Sequence, residues 1–475
     1  MHRPHRRPAT GKPDSTCLGT AGNTVTPSRH PWDLSDGVTK DARASRSLPP
    51  PPKPSRGQRR NLAPALCLLI PLLGVAGCGQ DRLARIEAPE PEPRTGEVGA
   101  GHVPSDGWSW ASPDPSVVSM HAGVFLDSQY SSGFYPITSR VQTQLKTAIA
   151  MALASDATDE REFARSARRN LDWVITERLT ENGGLRWDET SPYYFEVHQC
   201  WYLIAAELVQ QEYALESSLV ETERRAWRFL TGTNPAGADF YERNAAQTGR
   251  YFAYRDLHED GSFQTQAAFK GSYEVGSGLW AMALRQSSNW AEALDGQRTP
   301  RNHLAKVQQQ CLLPPEQGGF FDAAMGTWVR SLLWDGANWV GWVRHDWKYA
   351  VAMEEGVLEC ILLTGDRTLE AAAHSDLEFI LSRALPDGRI QSLPDEFGSF
   401  RYEFGSVLSA LSLGAMVFRD TDPSLSTRCL DHGGRMYTYI TNNVSPQVSE
   451  DDAMILLGLA RYVLADEACR MPGRL

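Results

Sequence analysis

The sequence predicts an all-α protein whose helices close into a toroid of two concentric rings, built from five to six helical hairpins. Three observations predict it. From about residue 110 to 470, amphipathic segments alternate with segments that are apolar nearly all round. A helix apolar on every side, and of the wrong length for a membrane, must be covered on every side by protein, so the wet helices belong outside and the dry ones inside. No comparable series of strand signals occurs, and short β-like pieces are expected only in loops.

Ahead of this region the chain changes character twice. Residues 1–58 read as a disordered extension, and the first 77 residues hold 12 Lys/Arg against 4 Asp/Glu with a proline run at 49–52. Residues 59–77, RRNLAPALCLLIPLLGVAG, place a basic pair before an apolar run and small residues, the layout of a secretory signal. Val75, Ala76, Gly77 and Cys78 resemble the lipobox of bacterial lipoproteins. That resemblance implies an acylated Cys78 as mature N-terminus and, because Gly79 rather than Asp follows, the outer membrane of a bacterial cell envelope. A signal normally opens a chain, so translation is expected to begin between 25 and 62. Residues 78–108, rich in Pro, Glu and Gly, read as a flexible tether, and 109–475 as the toroid domain.

The amphipathic class is clearest at 160–179, where Phe163, Ala167, Leu171, Val174 and Ile175 share a face opposite Arg161, Arg165, Arg168 and Asp172. It recurs at 217–231, 299–313, 367–384 and 423–441. The all-apolar class comprises 194–213, 271–285, 346–363, 402–418 and 449–464, with 137–154 as a sixth.

Charge and cysteine usage narrow the function. Beyond residue 77 there are 35 Lys/Arg against 54 Asp/Glu, which excludes nucleic acid as a partner, since phosphate binding needs a basic footprint. Cys200, Cys311, Cys360, Cys429 and Cys469 form no CxxC pair and sit mostly in apolar helical patterns, so buried thiols are expected rather than a zinc site.

The alternation, with loops ENGGLRWDETSPYYFE, PEQGGFFD and PDGRIQSLPDEFGSF ahead of inner helices, resembles the (α/α) toroid of six-hairpin glycosidases and related polysaccharide lyases. The resemblance covers about 110–470 and is architectural. It implies action on carbohydrate at the rim where loops feed the inner helices, with no cofactor.

One motif is repeated there. Tyr273, Glu274, Gly276 and Ser277 are echoed by Tyr402, Glu403, Gly405 and Ser406, each time at the start of an inner helix. In the structural reading Glu partners the helix dipole and Gly-Ser lets neighbouring helices approach. In the functional reading the carboxyls act on a glycosidic bond, which needs one proton donor and one carboxylate. Glu274 and Glu403 are the leading pair, with Asp335 and Asp346 as further candidates and Asp188 and Glu196 in reserve. Sugar sites combine aromatic platforms with polar clamps. Trp187, Tyr193, Tyr194, Tyr273, Trp334, Trp339, Trp342 and Tyr402 are candidate platforms, and Arg250, Arg255, Arg344, His345 and Arg401 candidate clamps.

Three rival readings stay open. A lyase would use a Tyr or His base, with Arg344 or Arg401 neutralising a uronate. A terpene cyclase shares the architecture, but Glu450, Asp451 and Asp452 are the only acidic cluster at an inner helix start, and Ser449 with Asp452 reads as an N-cap. A tethered glycan-binding lipoprotein without catalysis is the third. No motif carries metal-ligand spacing.

Overall fold

The computed structural model describes residues 112–189, 193–212, 217–231, 241, 250, 256–258, 268–287, 300–342, 347–391, 393 and 400–470. The extension, signal and tether, together with Cys78, Arg255, Arg344, His345 and Asp346, lie outside them.

Twelve helices appear among the described residues. They are α1 (Pro115–Ser128), α2 (Val141–Thr158), α3 (Arg161–Glu177), α4 (Glu196–Glu212), α5 (Ser217–Thr231), α6 (Ser272–Ser287), α7 (Pro300–Cys311), α8 (Trp347–Thr364), α9 (Glu370–Ser382), α10 (Phe400–Phe418), α11 (Pro423–Asn443) and α12 (Glu450–Arg470). Local chemistry sets several of the starts. Asp114 and Asp422 each cap the helix that follows by accepting from a backbone amide, with proline at the first helical position where no N–H is needed. Ser449 and Asp452 form the expected box at α12: Asp452 N donates to Ser449 Oγ at 3.1 Å and Ser449 Oγ to Asp452 Oδ2 at 2.5 Å.

Even-numbered helices form a closed ring: α2 packs on α4, α4 on α6, α6 on α8, α8 on α10, α10 on α12, and α12 back on α2. Odd-numbered helices lie outside, as α3 does against α2 and α4, or α11 against α10 and α12. The hairpins number six. The outer helix missing from the sequence reading is α1, which covers the seam between α2 and α12. On α3 the buried stripe Phe163, Ala167, Leu171 and Val174 is the predicted one, and each large apolar side chain there contributes about 1.5–3 kcal/mol. The inner helices are buried almost throughout; α2 alone buries every residue from Thr143 to Ser155.

Two inner pairs approach through glycine. A Cβ on Gly276 would land on the Ala352 backbone, and one on Gly356 on the carbonyl of Gly276; Gly405 meets Met454, and Gly458 meets Gly405, in the same way. The glycine of the repeated motif is therefore a helix-packing residue, at α6 against α8 and at α10 against α12.

Short antiparallel strands decorate the loops. β1 (Tyr193–Phe195) pairs with β2 (Asp256–His258), β4 (Phe321–Asp322) with β5 (Thr327–Trp328), and β3 (Ala268–Gly271), β6 (Ser331–Trp334) and β7 (Trp339–Trp342) form a sheet in the order β3-β6-β7. Trp334, Trp339 and Trp342 thus lie on the β6–β7 hairpin. Trp328 and Trp347 belong to the core, donating to Glu354 Oε2 at 2.7 Å and to the Gln391 carbonyl at 2.9 Å. The described cysteines are free thiols, and all but Cys469 are buried.

Candidate functional site

The inner helices bring their leading turns to one mouth, where a buried lysine is the hub. Lys146, one turn into α2, donates to Tyr402 Oη at 3.0 Å and to Glu450 Oε1 at 2.6 Å, with its ammonium 5.0 Å from the centre of the Tyr273 ring. Tyr273 Oη accepts from Gln142 Nε2 at 2.8 Å and from Trp201 Nε1 at 3.0 Å. Thr143 donates to Glu450 Oε2 at 2.9 Å, and the Lys348 ammonium lies 4.7 Å from the Tyr402 ring centre. Residues of α2, α4, α6, α8, α10 and α12 meet here, one from every inner helix at least.

A lysine with no exposed side chain needs a reason to stay charged. Burial disfavours its charge, but Glu450 and the two phenols outweigh that and hold its pKa well above the ordinary lysine value. Burial likewise works against ionising Glu450, and Lys146, with help from Lys348 and Thr143, overrides it and brings the carboxyl down to about 2. Burial raises both phenols despite Lys146, so Tyr273 and Tyr402 stand in the site as neutral hydrogen-bonding groups. The mouth therefore holds a fixed ammonium, a fixed carboxylate and neutral aromatic walls.

Glu274 and Glu403 follow these tyrosines in the first turns of α6 and α10, both buried. The Glu274 carboxyl folds back over Gly271, beside Tyr349, and its Oε2 accepts no hydrogen bond among the described residues. Ser277 turns inward and bonds the carbonyls of Tyr273 and Glu274 at 3.1 and 3.0 Å. Glu196 lies buried between α4 and α6, its Oε1 within reach of Gly278. Trp187 stands half-buried at the rim, edge-on to Phe195 at 4.9 Å, with the Arg140 guanidinium 5.6 Å from its ring centre. Asp188 neighbours it, half-buried.

Other candidates take structural roles. Tyr194 is in the core, edge-on to Phe229 at 5.0 Å, because strand alternation turns it inward against Gly184. Tyr193 enters β1 opposite His258. Trp334 and Trp339 face each other across the β6–β7 hairpin at 5.3 Å, and Trp342 pairs with Ser331 in its ladder. Asp335 closes that hairpin: its exposed carboxylate accepts from the amides of Ala337 at 2.8 Å and Asn338 at 2.7 Å, which hold its pKa below the ordinary value. Arg401 is a clamp on protein, its Nη1 lying 2.8 and 3.0 Å from the two oxygens of buried Asp452. Arg250 is similarly engaged, with the Gln317 carbonyl. Among the described residues no group of three or more His, Cys, Asp or Glu side chains could hold a metal ion.

Lys146, Trp201 and Glu450 are the residues that sequence reasoning passed over. The available signal was a lysine inside QLKTAIAMALAS, an otherwise dry helix, which must find a carboxylate. Of the acidic trio at α12, Asp452 is bonded to the Ser449 cap and to Arg401, and Glu450 is that carboxylate.

No protein-family model matches the chain, and no curated protein sequence matches it significantly. Solved structures do match. A sugar epimerase from a ruminal bacterium aligns with TM-score 0.52 and 10% identity over 73% of this chain and 97% of its own. A cellobiose 2-epimerase from Spirochaeta thermophila gives 0.52 and 14% over 73% and 96%. An inactive variant of an α-1,6-mannanase from a Salegentibacter species, in complex with α-1,6-mannotriose, gives 0.52 and 8% over 74% and 99%. At these identities the likeness is one of fold: the chain has the six-hairpin toroid that these sugar-acting enzymes also have.

Proposed function

We propose that the chain is a carbohydrate-active enzyme that hydrolyses a glycosidic bond lodged at the mouth of the toroid, with Glu274 and Glu403 as the acid and base. The observation that carries this is the meeting of Tyr273 and Tyr402 on one lysine. In this reading their sequence neighbours Glu274 and Glu403 flank the same opening, each at a helix N-terminus that favours a carboxylate. Hydrolysis requires two such groups roughly 5–10 Å apart, one donating to the leaving oxygen and one activating water or attacking. In this reading Lys146 and Glu450 hold sugar hydroxyls and the shape of the floor. Elimination with a tyrosine base is disfavoured, because burial raises both phenols. The toroid is carried on the outer membrane through acylated Cys78.

The test is product release from a panel of α- and β-linked oligosaccharides. Glu274→Gln and Glu403→Gln each lower turnover by about 100-fold or more while circular dichroism stays native. Wild-type rates in both would discard the pair, and glycan binding without product in the wild type would favour the non-catalytic reading. An unmodified Cys78 in the mature N-terminal peptide would remove the lipid anchor.

A further inference from the structure

Two turns below the mouth, the axis of the ring meets buried polar atoms that none of the described residues satisfies. Residues seven apart on a helix lie nearly one above the other. Trp280, Glu355 and Ser409 stand seven residues beyond Tyr273, Lys348 and Tyr402, so they repeat the mouth's inward face one layer down; Arg461 stands eleven beyond Glu450, again on the same face. Among the described residues, Trp280 Nε1 and both Nε and Nη2 of Arg461 are buried without a hydrogen-bond partner, and beside them the Ser409 hydroxyl bonds the Glu355 carboxyl. These groups are neighbours: the Arg461 guanidinium lies 4.7 Å from the Trp280 ring centre, and Arg461, Ser409 and Lys146 all act on the Glu355 carboxyl.

An unsatisfied buried polar atom costs about 1–3 kcal/mol, and native proteins almost always satisfy such atoms with protein, water or ligand. Orphan donors on α6 and α12, turned toward the same axis as the Glu355 carboxyl of α8 and the Ser409 hydroxyl of α10, mark a place where something hydroxylic belongs. The charges around it say of what kind. Lys146 is paired with Glu450 above, and the Nη1 of Arg461 is paired with Glu359 beside it. Glu355 remains, its carboxyl pushed up to about 7 by burial although Arg461 and Ser409 pull it down. An anion entering this layer would face the Glu355 carboxyl and an Arg461 whose charge is already shared with Glu359, whereas a neutral polyol can accept from Arg461 and Trp280 and bond Glu355 in either protonation state.

We propose that the layer formed by Trp280, Glu355, Ser409 and Arg461 is an axial subsite for one residue of an uncharged sugar, and that it selects against uronates and sugar phosphates. This rests on the carbohydrate reading above and adds the class of sugar. The experiment is titration calorimetry of the full chain with methyl glycosides of glucose, mannose and galactose, their β- and α-linked disaccharides, and methyl glucuronide. The wild type binds at least one neutral sugar, and the glucuronide at least tenfold more weakly than its neutral counterpart. Glu355→Gln and Ser409→Ala each weaken the neutral sugar severalfold, and Glu355→Gln also narrows the preference over the glucuronide. Ser409→Ala removes only a hydroxyl and carries the test if the glutamine variant does not fold. A neutral sugar bound with wild-type affinity by both variants, or a glucuronide bound as tightly, overturns the subsite while leaving the carbohydrate reading standing. Neither binding nor product across both panels overturns that reading, and the subsite with it.

Discussion

Replacing Glu450 by Gln tests the hub of the site most directly. Lys146 has no exposed side-chain surface, and Glu450 Oε1 lies 2.6 Å from its ammonium. The substitution keeps the shape and leaves a buried ammonium facing an amide and a phenol, and breaking a buried pair in this way costs about 3–5 kcal/mol. The pH dependence gives an independent magnitude. Glu450 falls from 4.5 to about 2 in the folded chain, which corresponds to about 3 kcal/mol. The folded pKa is depressed, so this stability is fully present above 4.5 and is lost as pH falls toward 2. With roughly 2 cal/mol/K per residue of unfolding entropy, a domain of this size melts about 4–7 °C lower at pH 7 when 3–5 kcal/mol are removed. Calorimetry of both proteins from pH 7 to pH 3 should show a gap that shrinks by about half or more over the acid limb. An unchanged melting temperature at pH 7, or a gap independent of pH, would falsify the buried ion pair as the organiser of the mouth.

Gly405→Ala puts a methyl group onto the Met454 backbone and should lower stability by about 1–3 kcal/mol, read by denaturant unfolding; a neutral result would mean that α10 and α12 do not touch there. Asp335→Ala should loosen the β6–β7 turn through its lost hydrogen bonds and leave turnover unchanged, whereas a collapse of turnover would return Asp335 to the reaction. Glu354 and Asp376 are buried together, raised above the ordinary carboxylate range by burial, with Trp328 donating to the former and Thr327 to the latter. Raised folded pKa values mean stability that is present at low pH and lost as pH rises from the unfolded value of 3.8 to about 7, so Asp376→Asn should gain stability relative to wild type over that range. A relative loss over that range would show that the pair is not carried as carboxylic acid.

Most of the toroid was legible in the sequence, because ring membership is a matter of which faces are apolar. The inner helix expected at 402–418 is found at Phe400–Phe418, and the outer one at 217–231 as Ser217–Thr231. Helix α1 escaped because its polar face is slight: PSVVSMHAGVFLDS lacks the charges that mark α3. Short strands were expected in the loops but not located, because two to four residues carry too little pattern to register.

The site divides along the same line. Local periodicity puts Tyr273, Tyr402 and Glu450 at helix starts, and the glycines three residues beyond the two tyrosines at close approaches, since those follow from one helix and its neighbour. Which side chains meet across the ring is decided by the closure of α12 onto α2, which brings Lys146 to a carboxylate 304 residues away. Asp335, Tyr194 and Arg401 have the right chemical types for a sugar site, yet a turn, a strand's inward face and an ion pair with Asp452 claim them. Residue type is a property of the chain; whether a polar atom is left over for a ligand depends on what the fold has already bonded to it.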